Sequence, residues 1–134
     1  MSLRVGPIAY PIGTAAFLGA FFDTITVRLE SGARGTRFPH LATLYQAGSL
    51  EATHVDAAIA ELDLVRRGLR QLPPSAVVWD IDDPTAAPPW GHVIAPTITD
   101  LANYFITSDG RHLLDVLTIA LDAGRRLERT IAIG

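Results

Sequence analysis

The chain has 134 residues, of which 49% are hydrophobic, and a formal net charge of −3 at pH 7. This length and apolar content suit a single domain, residues 1–134, with one core, and a slightly acidic chain lacks the concentrated basic surface that general nucleic-acid binding needs. The absence of cysteine excludes disulfides, thiolate zinc sites and cysteine nucleophiles, and is compatible with a reducing cytoplasm.

The charge-free run near the N-terminus is predicted to be a buried strand followed by a buried helix. Pro7 and Pro11, with glycines beside them, divide the run into pieces too short to cross a bilayer as one helix. Residues 3–10 are the predicted strand. The helix, residues 15–30, has Thr14 as its N-cap and apolar residues at three- and four-residue steps. We therefore expect no membrane association.

A glycine-rich loop with two arginines follows this helix at residues 31–39. Such loops bind phosphate when they lead from a strand into a helix N-terminus. This loop follows a helix and lacks the glycine spacings of phosphate-binding motifs, so we favour a structural role. In that role Gly32 ends the helix and Arg37 pairs with a downstream aspartate. A phosphate site is the alternative.

Two helices are predicted before the middle of the chain. The first spans residues 40–47 and ends at Gly48, and the second begins at Thr53 and stops at Pro73. Thr53 and Asp56 have the spacing of a capping box. The apolar face of the second helix consists of Val55, Ile59, Leu62, Val65, Leu69 and Leu72. The four histidines show no zinc-binding spacing, so we expect no zinc site.

The second half of the chain is predicted to hold more strands and a last helix. Residues 76–81 form an apolar run that suits a central strand. Residues 104–107 are a candidate third strand, residues 111–127 a helix capped by the preceding Ser-Asp-Gly, and residues 130–133 a closing strand. The predicted fold class is α+β, with a small, mostly antiparallel sheet of about four strands packed against three to five helices.

The most distinctive stretch is residues 76–110, which we call the acidic arm. It contains both tryptophans of the chain together with clustered aspartates and prolines. Prolines pre-order a loop, so little entropy is lost on docking, and indole rings offer large rigid contact area. The aspartates add a negative rim that suits a partner with a basic surface. The residues predicted to bind a partner are Trp79, Asp80, Asp82, Asp83, Trp90, Asp100, Tyr104 and Asp109.

Three other interpretations of the acidic arm remain open. Clustered carboxylates bind hard divalent cations or act as a general acid and base, which would make the protein a small enzyme. That enzyme would combine Asp80, Asp82 or Asp109 with His92 or Arg37. The structural interpretation is that the aspartates cap turns and form ion pairs with Arg37 or Arg111. In the third interpretation an exposed tryptophan patch is a homodimer face.

Several short motifs spread over nearly the whole chain carry a family resemblance. They are Phe-Phe-Asp-Thr-Ile at 21–25, Arg-Phe-Pro at 37–39, Val-Trp-Asp-Ile-Asp-Asp at 78–83, Pro-Pro-Trp-Gly at 88–91, Ile-Thr-Asp-Leu at 98–101, Asn-Tyr-Phe at 103–105 and Thr-Ser-Asp-Gly-Arg at 107–111. Together they resemble the signature of the immunity protein 70 family of bacterial polymorphic-toxin systems. The resemblance implies a small cytoplasmic protein that is encoded beside a toxin gene, binds that toxin and protects the producing cell and its kin. It implies no catalysis and no cofactor. A nuclease or other cationic toxin domain is an example of the basic partner that the charge of the arm suits.

Overall fold

A four-stranded antiparallel sheet brings distant parts of the sequence together. It is seen in a computed structural model that describes residues 1–91 and 93–134. The strands are β1 (Ser2–Val5), β2 (Ile8–Pro11), β3 (Ser49–Leu50) and β4 (Ile131–Ile133). Their order is β2-β1-β4-β3, so β4 pairs with both β1 and β3. The sheet is therefore complete only when residues near 131 are in place.

Four α-helices accompany this sheet. They are α1 (Ala15–Leu29), α2 (Pro39–Ala47), α3 (Val55–Arg70) and α4 (Leu113–Leu127), with short 3-10 turns at Ala52–His54 and Pro74–Ala76. The predicted fold class, an α+β domain with about four strands and three to five helices, is confirmed. The predicted N-cap of α1 is also confirmed, because the Thr14 side chain accepts the N–H of Phe17 at 3.1 Å.

The predicted first strand, residues 3–10, is wrong, because this segment forms a hairpin. Val5 pairs with Ile8, which leaves Gly6 and Pro7 as a two-residue turn. Gly6 has a φ of 57°, a value that glycine adopts without strain and that tight hairpin turns require. The glycine-proline pair was the turn signal that the apolar pattern concealed.

Strand β2 is a free edge of the sheet, and proline limits its ability to pair with another chain. The Ile12 N–H donates to the Met1 carbonyl at 3.0 Å, so the backbone N–H of Ile12 points toward the β1 side. Because successive residues of an antiparallel strand face alternate sides, Ala9 and Pro11 point their backbone groups outward. Pro11 has no N–H, so Ala9 alone offers an outward donor within β2. Such an edge is a poor template for strand addition.

Two predicted helix starts are wrong in detail. The capping box at Thr53 does not form, because α3 begins at Val55 after a 3-10 turn and its N-cap makes no side-chain hydrogen bond. The last helix begins at Leu113 instead of residue 111. Here the Thr107 hydroxyl accepts the N–H of Arg111 at 3.0 Å, which holds residues 107–111 in a turn before the helix.

The strands predicted at residues 76–81 and 104–107 are also wrong. Residues 76–81 lie beside α1 and belong to no strand. Near residues 104–107 the structure has a single β-bridge, which joins Ile106 to His112. An apolar run predicts burial but does not say which groups will satisfy its backbone.

The crossing of α4 over β4 depends on Gly124. A Cβ at this position would lie 2.9 Å from the Cδ1 atom of Ile131 and 3.3 Å from the carbonyl oxygen of Arg129. Ile131 is fully buried, and a β-branched side chain has few alternative rotamers. Glycine is therefore required for the close approach of the helix to the sheet.

Gly124→Ala is expected to lower the free energy of unfolding by about 1 kcal/mol. Overpacking costs about 1–3 kcal/mol, and the better helix propensity of alanine offsets about 1 kcal/mol of that loss. Urea denaturation measures the change. Gly19→Ala is the matched control, because its nearest contact is the Tyr45 hydroxyl at 3.2 Å, at the end of a long side chain. Wild-type or higher stability of Gly124→Ala would contradict the packing argument.

Candidate partner-binding surface

The acidic arm is a long irregular segment that is packed into the domain. Its described residues beyond the 3-10 turn at Pro74–Ala76 form no helix and no strand. Irregular segments longer than about 15 residues are uncommon in compact domains and are usually either functional or disordered. Leu101, Tyr104 and Phe105 of the arm are at most 5% exposed and belong to the core. The arm is therefore a built part of the fold.

Two adjacent side chains of α1 hold the start of the arm by its backbone. The Thr24 hydroxyl accepts the N–H of Val78 at 3.0 Å. The Oδ2 atom of Asp23 accepts the N–H of Ile81 at 3.0 Å. Both side chains are buried in the surrounding structure, with 8% exposure for Asp23 and none for Thr24. Side chains of α1 thus accept the backbone N–H groups that a neighbouring strand would bind if residues 76–81 formed the predicted central strand.

Arginines complete this attachment. Arg34 forms an ion pair with the other carboxylate oxygen of Asp23, and its Nε donates to the Thr26 hydroxyl at 2.8 Å. The Nε of Arg28 donates to the carbonyl of Ala76 at 2.8 Å. A buried carboxylate is stable only when it is paired, so Arg34 compensates the charge that Asp23 brings inside. This Asp23–Arg34 pair was not predicted from the sequence, which assigned an ion pair only to Arg37 and a downstream aspartate.

The glycine-rich loop after α1 binds a carboxylate of its own chain. The Oε2 atom of Glu30 accepts the N–H groups of Gly35, Arg37 and Phe38 at 2.9, 3.0 and 3.2 Å. Glu30 is only 5% exposed. Converging N–H groups are what makes such a loop able to bind an anion, and here an internal anion already uses them. The loop has a structural role, and the phosphate alternative is not supported.

Three aspartates of the arm cap its turns, of which Asp80 and Asp83 are exposed and Asp100 is half-buried. Asp80 accepts the N–H of Asp82 at 2.9 Å, and Asp83 accepts the N–H and hydroxyl of Thr85 at 3.0 and 2.6 Å. Asp100 accepts the N–H two residues further on at 2.8 Å. The hydrogen bonds from Thr85 lower the pKa of Asp83 below its usual range. The carboxylate of Asp83 therefore stays ionised near neutral pH, and the turns closed by the three aspartates stiffen the arm.

The ion pairs expected for Arg37 and Arg111 are not made within the described part of the chain. Arg37 donates to the Leu29 carbonyl at 2.9 Å, and Asp109 accepts the Thr107 hydroxyl. Asp82 is exposed and caps no turn. Its charge is therefore directed to solvent or to a partner.

A continuous series of aromatic rings connects the core to the surface of the arm. Ring centroids are 5.2 Å apart for Phe21 and Phe105, 5.1 Å for Phe105 and Tyr104, 6.1 Å for Tyr104 and Trp90, and 5.4 Å for Trp90 and Trp79. The indole N–H of Trp90 donates to the Tyr104 hydroxyl at 2.9 Å. Trp90 is 43% exposed and Trp79 is half-buried, so both indoles combine anchoring with accessibility.

Of the described residues in the enzyme hypothesis, only Asp80 and Asp82 line a common cleft. Asp80 and Asp82 line a cleft of about 320 Å³ between the arm and α1, beside the Asp23–Arg34 pair. Asp109 and Arg37 do not line this cleft, and His92 lies outside the described residues. Among residues 1–91 and 93–134, no group of three or more histidines, aspartates or glutamates is placed to hold a metal ion.

Sequence reasoning missed several residues of this surface. Val93 is 85% exposed and Ile81 is 37% exposed, and both lie among the predicted partner-binding residues along the chain. It also did not assign the anchoring roles of Asp23 and Thr24. Their place within an otherwise apolar stretch of α1 was the available signal, because a buried polar pair needs hydrogen-bond partners.

The fold and this surface define a small α+β domain that presents an anchored acidic arm. The sequence model of the family described as immunity protein 70 matches residues 3–133, and the chain therefore belongs to the immunity protein 70 family. The resemblance carried by the motifs is confirmed. No curated protein and no solved structure matches the chain. Among the described residues, no helix has the length and apolar character needed to span a membrane.

Thr24→Val is expected to loosen the start of the arm. The change leaves the Val78 N–H without an acceptor, which costs about 1–3 kcal/mol, so amide exchange at Val78 and Ile81 should accelerate by about tenfold or more. Hydrogen exchange followed by NMR measures this. Thr43→Val is the control, because the Thr43 hydroxyl is exposed and bonds only within α2. Unchanged exchange at both amides would show that Thr24 does not hold the arm.

The Tyr104 phenol is expected to ionise above its ordinary pKa of 10.0. Burial raises the pKa, and the hydrogen bond from Trp90 lowers it by less. Since the folded state holds this proton more tightly than the unfolded state, the resulting stability is fully present below pH about 10 and is lost as the pH rises through the folded-state pKa. Ultraviolet absorbance titration of wild type minus Tyr104→Phe isolates this phenol. A midpoint at or below 10.0 would contradict the assigned burial effect.

Proposed function

We propose that this immunity protein neutralises a cognate bacterial toxin by binding it through the acidic arm. Membership of the immunity protein 70 family supports a role in immunity. The observation that carries the proposal is an irregular arm whose start is fixed to α1 through its backbone while four of its aspartates, with Ile81, Trp90 and Val93, are exposed. Neutralisation is by binding and involves no reaction catalysed by this chain.

The distribution of charge supports a basic partner. The arm contains five aspartates and no arginine or lysine, so with neutral histidine its net charge is −5. The whole chain carries −3, which leaves a charge of +2 on the remainder. The arm is therefore more negative than the rest of the chain, and this asymmetry steers a cationic partner toward it.

The conformation of the arm supports tight docking. Two turns of the arm are closed by backbone hydrogen bonds. The Asp83 N–H donates to the Asp80 carbonyl at 3.2 Å, and the Gly91 N–H donates to the Pro88 carbonyl at 2.9 Å. A surface that is already ordered loses little entropy on binding. Trp90 and Val93 supply exposed apolar area, and partly buried tryptophans are typical anchors of protein interfaces.

The biological setting follows from this proposal. The toxin is encoded by a neighbouring gene, and the immunity protein acts in the cytoplasm of the producing cell and its kin. One bound toxin requires an interface of about 1,600 Å² in total, which the arm and an adjacent helix are large enough to supply. Self-association through the tryptophans is the competing use of the same surface.

Co-expression tests the proposal. We expect the toxin domain from the neighbouring gene to arrest growth when expressed alone, to be tolerated when this chain is present, and to co-purify with it. A variant with a stop codon early in this chain is the control for expression from the same plasmid. Failure of the neighbour to be toxic, or of the two proteins to co-purify, would refute the proposed function.

Cysteine footprinting tests the binding face. Because the chain has no cysteine, Val93→Cys and Ala57→Cys each introduce a unique exposed thiol, on the arm and on α3 respectively. We expect bound toxin to slow maleimide labelling at position 93 at least tenfold and to leave position 57 unchanged. Labelling at position 93 that stays fast in a stable complex would place the interface elsewhere. Protection at position 93 without toxin, growing with protein concentration, would indicate a homodimer.

A further inference from the structure

We propose that a cavity next to the acidic arm receives an apolar side chain from a basic surface of the toxin. This inference rests on the proposed function and specifies the chemistry of the partner. It depends on three features that occur together: a preformed apolar cavity, exposed apolar residues beside it, and an adjoining cleft lined by aspartates.

The cavity has a volume of about 360 Å³. Pockets that hold small ligands range from about 300 to 1,000 Å³, so this one has room for one or two side chains. Its residues are mostly apolar and include Val77, Ala86, Ala87, Pro88, Ile94 and Tyr104. Tyr104 is 5% exposed and Ile94 packs against the core, so this side of the cavity is fixed before any partner arrives.

Exposed apolar side chains lie next to the cavity along the chain. Gly91 and Ile94 line it, and their neighbours Trp90 and Val93 are 43% and 85% exposed. An apolar pocket bordered by exposed apolar residues is typical of a binding surface, because soluble proteins rarely expose several apolar side chains close together unless a partner covers them.

The aspartates belong to an adjoining cleft of about 330 Å³. Asp80 and Asp83 line this cleft together with Arg28, whose Nε is used by the Ala76 carbonyl, and the cleft shares Val77 and Ala86 with the apolar cavity. A partner that inserts an apolar side chain into the cavity therefore places its neighbouring residues over carboxylates. Arginine or lysine at those positions complements the charge, whereas acidic residues are repelled.

The charge of the arm also argues against a second copy of this chain as the occupant. Two arms in contact would each bring a net charge of −5 to the interface. Like charges in an interface are unfavourable unless cations compensate them. A basic toxin surface meets the same carboxylates with attraction.

Two variants separate the apolar and electrostatic parts of the inference. Ala86→Leu fills the cavity, and Ala57→Leu makes the same change on the exposed face of α3. Asp82→Asn removes an exposed charge that lies along the chain between the two cleft aspartates, which cap turns and are left intact, and Asp56→Asn removes a charge at the first turn of α3. Asp56 is a remote control, because α3 has 16 residues, spans about 24 Å, and approaches the arm near its opposite end, where Leu101 N–H bonds to the Leu72 carbonyl.

Binding kinetics with the toxin domain from the neighbouring gene provide the readout. We expect Ala86→Leu to raise Kd at least tenfold through faster dissociation, because the anchor no longer fits. Asp82→Asn should slow association about twofold to fivefold at low salt, with the difference disappearing at about 0.5 M salt. Both control variants should bind like wild type. Ala87→Phe is a second cavity-filling variant if Ala86→Leu lowers the melting temperature.

Each other result overturns the inference in a distinct way. If Asp82→Asn weakens binding but neither cavity-filling variant does, the toxin is basic but inserts no side chain. If all variants bind like wild type, the toxin docks on another face and the proposed function survives. If wild type itself does not bind the toxin, the proposed function fails as well. If a cavity-filling variant abolishes a wild-type dimer, a second copy of the chain is the occupant.

Discussion

Side chains of α1 form hydrogen bonds with backbone groups at the start of the acidic arm, and much of the molecule depends on this interaction. A segment that joins no sheet must find other partners for its N–H and carbonyl groups. Thr24 and Asp23 accept two of these N–H groups, and Arg28 donates to a carbonyl. Because the Asp23 carboxylate is buried, Arg34 must accompany it, and Arg34 in turn positions the loop after α1. The helix, the loop and the start of the arm therefore form one unit.

The middle of the arm is held differently, by apolar packing. The rings of Phe105 and Tyr104 continue the phenylalanine cluster of α1 outward to the two tryptophans. Tyr104 contributes both a buried ring and an acceptor for the Trp90 indole. Hydrogen bonds at the start and aromatic contacts in the middle explain how so long an irregular segment can remain fixed against the domain.

The sequence was sufficient for elements that depend on local periodicity. The apolar stripe from Val55 to Leu69, the Thr14 cap and the stop at Gly48 are read from neighbouring residues, and the structure contains them. The order of the strands depends on distant parts of the chain. Arg34 and Arg37 lie three positions apart in one loop, and only the path of the backbone decides that Arg34 reaches the Asp23 carboxylate while Arg37 bonds to the Leu29 carbonyl.

The candidate site shows the same division. The aromatic and acidic character of the arm was visible in its composition, and the structure brings Trp79, Trp90 and Tyr104 into contact. The strand predicted at residues 76–81 was wrong because apolar periodicity cannot distinguish a strand from an extended segment bound to helix side chains. The cavity beside Tyr104 was beyond sequence reasoning, since its lining residues come from separate turns.

Attachment of the arm through main-chain atoms has a consequence for how this protein can evolve. Mutations at outward positions such as Asp82 or Val93 leave the hydrogen bonds to α1 in place. On the arm side those bonds use backbone N–H and carbonyl groups, and only proline lacks the N–H. Under the proposed function, recognition can therefore change toward a new toxin while the fold is retained. Substitutions of the outward side chains alone would then be enough to follow a change in the toxin surface.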